Sequence, residues 1–225
     1  MNRIRLSKRM QLVADQVKGK RIADIGCDHG KIITYLLVNN LIDYAICSDI
    51  SAPSVAKAEA LLKQHNIDDK CWDIRCGDGL KTISCEDKID EVIMSGLGGR
   101  EISKIISQSD IKARLILQPQ HNEIDLKRYL VSHGYNIVFD KIVYDMSKFY
   151  NVFVAEQSDE VRKYNDYELY FGKDNFTGDN HDLRKYILFL ENKYKNIVDI
   201  VPEDTRLEVQ YMLQLIDKAK KEIGE

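Results

Sequence analysis

The chain has 225 residues, 44% hydrophobic and 31% charged, with a formal net charge of −3 at pH 7. That length allows one or two domains around a sizeable core, and the composition excludes both a disordered chain and a wholly basic nucleic-acid binder. No run of about 18 apolar residues occurs, so no membrane span is expected, and the basic first nine residues lack the apolar stretch of a secretory leader.

Ser7 is expected to cap a first helix running to about residue 17, with Met10, Val13, Ala14 and Val17 on one face. Residues 21–25 read as a strand and 31–39 as a helix. A second strand, 44–49, precedes a helix that opens near Pro53 and carries Val55, Ala58, Leu61 and Leu62 on its apolar side. Strands at 72–76, 91–94 and 113–117 follow, with helices at about 100–107 and 123–133, the latter closed by Gly134. Two long strand-like runs, 135–145 and 150–156, have only residues 146–149 between them and must be antiparallel. The pattern predicts an α/β protein: a Rossmann-like, mostly parallel sheet with an antiparallel edge hairpin.

From about residue 158 polar residues rise, which places a boundary between domains at 1–157 and 158–225. Leu183, Tyr186, Ile187, Leu190, Tyr194 and Ile197 form one helical stripe, and Leu207, Tyr211, Leu215, Ala219 and Ile223 form another. These predict a C-terminal helical hairpin of coiled-coil type, the stripes being its core.

Five cysteines (Cys27, Cys47, Cys71, Cys76, Cys85) include no CxxC pair, and several fall in strand-like runs. They read as reduced thiols in a cytoplasmic protein, with no metal site. Residues 1–20 hold six Lys or Arg and one acid, Asp15. Such a cluster either faces a polyanion or is a solvated helix face.

The most informative segment is Asp24-Ile25-Gly26-Cys27-Asp28-His29-Gly30, where a strand ends in a glycine turn and opens a helix. Glycines there let backbone approach a ligand, and the helix N-terminus offers unpaired N–H groups. A dinucleotide loop places a glycine against pyrophosphate where this chain has Asp28, with Asp24 just before the first glycine. Two carboxylates suit a cation better than a phosphate. S-adenosylmethionine (SAM) carries a sulfonium and an ammonium and no phosphate, so it fits better than NAD. Asp49 ends the second strand, where it could accept from ribose hydroxyls, and Asp78 follows the third, where it could accept from an adenine amino group. A strand-end Asp taken alone is usually a turn or cap residue.

In order along the chain stand Leu6-Ser7-Lys8-Arg9-Met10, Ala23-Asp24-Ile25-Gly26-Cys27-Asp28-His29 and Gly77-Asp78-Gly79-Leu80. Met94-Ser95-Gly96-Leu97-Gly98-Gly99 and Leu115-Ile116-Leu117-Gln118-Pro119 follow them. This set resembles the bacterial tRNA (adenine-22-N1)-methyltransferases over the first ~156 residues, and the helical tail matches that family's layout. The resemblance implies a class I SAM-dependent domain followed by a small coiled-coil domain, and methylation of N1 of adenine 22 in tRNA. Gly30-Lys31 departs from the Ala-Tyr of the family pattern, removing an aromatic just after the acidic loop.

Adenine N1 has a lone pair, so transfer needs alignment and exclusion of water rather than a base. Asp28 and His29 are the candidate catalytic residues, Asp28 to hold the charged adenine and His29 to contact either the base or the amino-acid end of the cofactor. The candidate cofactor set is Asp24, Gly26, Asp28, His29, Asp49, Ile50, Asp78, Gly79, Ser95 and Gly96. The candidate tRNA set is Arg3, Arg5, Lys8 and Arg9 for phosphates, Gly98 for room beside the methyl, and Gln118 and Asn122 for the adenine edge. Gly98 would otherwise be a backbone requirement, and Asn122 a helix cap. A monomer is compatible with the chain. Competing readings are a small-molecule or protein methyltransferase, and a SAM-binding regulator without turnover.

Overall fold

The structure, a computed structural model, describes residues 4–224. Seven strands form one sheet in the order β3-β2-β1-β4-β5-β7-β6. They are β1 (Arg21–Ile25), β2 (Tyr44–Asp49), β3 (Trp72–Cys76), β4 (Glu91–Ser95), β5 (Arg114–Gln118), β6 (Tyr135–Asp145) and β7 (Lys148–Gln157). The first five are parallel, β7 is antiparallel to β5, and β6 to β7. The parallel sheet with its antiparallel edge hairpin is therefore as the sequence predicts.

Both faces of the sheet are covered, so the inner strands are apolar on both sides. Ile22, Cys47, Ile93 and Ile116 face one core with α1 (Lys8–Ala14), α2 (Lys31–Val38) and α3 (Ala52–Gln64). Ala23, Ile46, Val92, Met94 and Leu117 face the other with α4 (Gly99–Ser107) and α5 (Glu123–Ser132). Strand β1 has β2 on one side and β4 on the other, and the chain reverses its direction of winding there. The carboxyl ends of strands at such a reversal open a crevice that serves as a ligand site.

Helix α1 stops at Ala14, three residues short of expectation. The buried carboxylate of Glu91 takes the Lys18 backbone N–H (3.0 Å) and pairs with Arg114 (2.7 Å), which also binds the Gln16 carbonyl (2.7 Å). That long-range pair pulls the chain off the helical path. The β6–β7 link is a two-residue turn, Met146-Ser147, with φ of +47° and +65°. A hairpin turn with both residues left-handed matches the twist of its strands, but Met-Ser lacks the usual Asn-Gly signal.

The C-terminal segment holds α6 (Asp166–Phe171), α7 (His181–Ile197) and α8 (Glu203–Glu222), with a third core that reaches Ile142 and Phe149 of the hairpin. The first stripe packs as expected through Leu183, Ile187 and Leu190. The second holds in its later half, with Leu215, Ala219 and Ile223 buried, and is corrected in its first: Leu207 and Tyr211 are exposed, and Val209, Met212 and Ile216 face inward in their place. Lys127 of α5 is fully buried, 2.7 Å from Asp140 of β6, and donates to the Leu169 carbonyl of α6 at 2.9 Å. This pair ties the helical segment to the sheet.

Candidate active site

The acidic loop leaves β1 at Gly26, whose φ of +75° favours glycine and which packs closely under the Leu97 side chain. Backbone N–H groups of Gly26 and Cys27 donate to the Ser48 carbonyl at 2.8 and 3.1 Å, fastening the loop to the end of β2. Asp49 completes the fastening. One carboxylate oxygen accepts from Asp28 N (3.2 Å) and the other from Ser51 N (2.9 Å). Asp28 and His29 are exposed and bonded to each other, Oδ2 to Nδ1 at 2.6 Å.

Two cavities meet at this loop. The larger, about 530 Å³, is walled by Asp24, Asp28, His29 and Asp49 on one side and by Ser95, Gly96, Gln120 and Arg9 on the other. The smaller, about 130 Å³, is lined by Asp49, Ile50, Asp78 and Gly79 together with one face of α4. Gly26, Asp49 and Leu97 border both. Ile50 is 75% exposed beside the smaller cavity, an apolar surface at its rim.

Asp24 is the unusual group. It is 4% exposed, lines the larger cavity, and its carboxylate has no hydrogen-bond partner among the described residues. Burial, with help from the neighbouring charge of Asp49, pushes its pKa up to about 7. An isolated buried carboxylate is costly and calls for a cation to compensate it. Asp78 differs: it is exposed, and the Lys81 ammonium at 2.5 Å holds its carboxyl below the usual range.

Ten expected cofactor residues thus come together: Asp24, Gly26, Asp28, His29, Asp49, Ser95 and Gly96 at the larger cavity, and Ile50, Asp78 and Gly79 at the smaller. The expected tRNA residues scatter. Arg3 lies outside the described residues. Arg5 and Lys8 are exposed on the surface. Arg9 instead walls the larger cavity, its guanidinium bonded to Gln118 and 4.9 Å from the Tyr150 ring centre.

Two of these readings need correction. Gln118 is fully buried; its amide donates to the Pro119 carbonyl (2.8 Å) and accepts from Ser95 (3.0 Å) and Arg9, so it is not offered to an adenine edge. Gly98 does not line either cavity: its φ is −73°, and a Cβ there would meet His121 Nε2 at 2.8 Å. The glycine that borders the larger cavity is Gly96, with φ +92°. Asn122 stands at the start of α5 in a left-handed conformation, and its side chain makes no cap hydrogen bond, so it is the helix-cap alternative that falls.

Leu97, Glu101, Lys104, Ile105 and Gln108 belong to the site without having been expected there. The last four recur at steps of three and four, the spacing of one helix face, which is the signal the sequence carried.

A family model for a methyltransferase domain matches residues 6–153. The tRNA (adenine(22)-N(1))-methyltransferase of Bacillus subtilis (strain 168) is 30% identical over 177 residues, covering 76% of this chain and 74% of the relative. The chain belongs to the tRNA (adenine-22-N1)-methyltransferase family. The structure of M. capricolum TrmK, in complex with S-adenosyl-homocysteine, superimposes with a TM-score of 0.84 at 26% identity, over 97% of this chain and 99% of that one. A Streptococcus agalactiae protein of the NADB-Rossmann superfamily gives 0.85 at 26% identity, covering 99% of each chain. Among the described residues no helix is long and apolar enough to cross a membrane, and no group of three or more His, Cys, Asp or Glu is placed to hold a metal.

Proposed function

We propose that this chain methylates N1 of adenine 22 in tRNA with SAM as the methyl donor. The observation that carries the reading is Asp24, a buried carboxylate without a partner on the wall of a cavity at the sheet's crevice, in a member of this family. Bound SAM supplies an electrophilic methyl on a sulfonium. Asp24 offsets its positive charge, Asp49 accepts from its ribose, and Ile50 and Asp78 frame its adenine. Asp28 and His29 stand at the opening as acceptors for the cationic adenine. Residues 1–157 form the catalytic unit and 158–225 a helical one, acting on tRNA in the cytoplasm.

Incubation with labelled SAM and unmodified tRNA, followed by primer extension, tests this: N1-methyladenine blocks reverse transcriptase. A stop at adenine 22 that vanishes when this adenine is replaced is the expected result. Label in protein or small molecules, with none in tRNA, would reject it.

The placements of Asp49 and of the basic helix end lead to two further expectations. Asp49→Ala should weaken SAM binding about tenfold or more in a calorimetric titration, with a small loss of stability because only two backbone N–H bonds are given up. An unchanged affinity would remove Asp49 from the ribose. Neutralising Arg5 and Lys8 together should lower the log–log salt slope of the tRNA KM by roughly 0.7 to 0.9 for each phosphate no longer engaged. SAM affinity should not move, and an unaltered slope would make that helix end a merely solvated surface.

A further inference from the structure

We propose that Gln118 is a positioning residue that holds the Arg9 guanidinium as a fixed receptor for one phosphate of the target nucleotide. The proposal rests on the tRNA reading above.

Arg9 is clamped from three strands. Its backbone N–H donates to Asp145 of β6 at 3.1 Å, its guanidinium lies 4.9 Å from the Tyr150 ring centre of β7, and its Nη1 donates to Gln118 Oε1 of β5. Gln118 cannot turn its amide over without loss. Its Nε2 donates to the Pro119 carbonyl at 2.8 Å, and its Oε1 also accepts from Ser95 at 3.0 Å. The amide oxygen is thereby aimed at Arg9 in a fully buried setting.

Arg75 is paired with Asp73 and Asp87, and Arg114 with Glu91 and Glu156. Among the described residues no carboxylate lies within 4.0 Å of the Arg9 guanidinium; its direct side-chain partners are a neutral amide and an aromatic ring, and the neighbouring acid, Asp145, is engaged by the Arg9 backbone N–H instead. Arg21 is also held by a neutral carbonyl and a ring, but among the described residues only Arg9 combines such a clamp with a place on the wall of the larger cavity. A half-buried guanidinium held this way keeps its full charge and most of its five donors for an incoming group.

Its position selects the group. The acids Asp24, Asp49 and Asp78 stand at β1, β2 and β3, whereas Arg9 stands over β5 and β7 with Ser95 of β4 between. The cationic cofactor belongs on the acidic side, so the nucleotide enters on the Arg9 side. Methylation makes the base cationic, which disfavours a guanidinium at the reacting edge. A phosphate, matched by the planar fork, is the fitting partner.

Steady-state kinetics with transcribed tRNA, alongside SAM titration, test the proposal. Arg9→Gln and Gln118→Met should each raise the tRNA KM about tenfold, and the double variant should be no worse than Arg9→Gln alone, because the two act as a unit. SAM Kd should stay within about twofold. Arg9→Gln should also lower the salt slope by about 0.7 to 0.9, while Gln118→Met keeps the charge and the slope. Strictly additive effects would overturn the positioning role. A loss of SAM affinity matching the rise in KM would assign the guanidinium to the cofactor's carboxylate and overturn the phosphate. Should Gln118→Met fail to fold, an unchanged KM and slope in Arg9→Gln would overturn the proposal by themselves. A wild-type protein that methylates no tRNA would instead remove the activity on which the proposal rests.

Discussion

Replacing Gly99 by alanine should lower the melting temperature by roughly 5–10 °C, whereas the same change one residue earlier, at Gly98, should move it by about 1–2 °C at most. A Cβ on Gly99 would lie 2.3 Å from the Asn122 carbonyl oxygen and 2.9 Å from that of His121, both backbone atoms. Those loops cannot step aside independently. Gly99 N–H donates to the His121 carbonyl (2.8 Å), Gln120 N–H to Leu97 (2.8 Å) and Gly96 N–H to Gln118 (2.9 Å). An added methyl must break this lacing or force α4 away from the end of β5, at a cost of about 2 kcal/mol or more. A Cβ on Gly98 meets only the ring of an exposed histidine, which can swing away, and the backbone there is ordinary. Gly98→Ala should therefore remain folded and active. Gly99→Ala should lose activity together with stability, because Ser95 and Gly96 border the cavity on the same turn. Thermal melting and turnover per folded molecule check both. A Gly98→Ala enzyme that binds SAM normally but does not turn over would restore Gly98 as a contact for the target base.

The contrast shows which parts of this molecule are legible in its sequence. The strands are, because a parallel sheet covered on both faces demands unbroken apolar runs, and Ile22-Ala23-Asp24-Ile25 or Val92-Ile93-Met94 can be little else. The acidic loop is legible for the same reason: its residues are contiguous, and its function follows from their charge. What sequence hides is contact across distance. Gln118 reads as an amide free to meet a base until its partner Arg9, 109 residues away, is in place. Gly98 and Gly99 look equivalent until Asn122 arrives beside one of them. Helix α8 misleads in another way. A strict step of four drifts around the helix, so Leu207 and Tyr211 fall outside the seam that Val209 and Met212 occupy. Helix α6 did carry a signal, the Asn165–Glu168 capping box, in a stretch whose polarity argued for a loop.

SAM affinity should rise steeply with pH between about 5.5 and 7 and level off above, approaching tenfold per unit on the steep limb. The cause is Asp24. Its carboxyl has a pKa of about 7 in the folded protein against an ordinary 3.8, because burial and the Asp49 charge disfavour ionisation. Below about 7 the group is neutral and offers a cation little; above it, the cavity holds a full negative charge that the cofactor's cations compensate. Binding must then expel a proton at acid pH, so the calorimetric enthalpy should depend on the ionisation enthalpy of the buffer. The same shift acts on stability with a defined sign. Between about 4 and 7 the folded chain keeps a proton that the unfolded chain has released, so the stability of the ligand-free protein declines as pH rises through that window. SAM should offset the decline, and the rise in melting temperature it produces should be larger at pH ~8 than at pH ~6. Asp24→Asn removes the titration: it should bind SAM weakly at every pH and lose the buffer dependence. Affinity that stays flat from pH ~5.5 to ~7.5 in the wild-type enzyme would mean that Asp24 is ionised without the cofactor or never faces its charge.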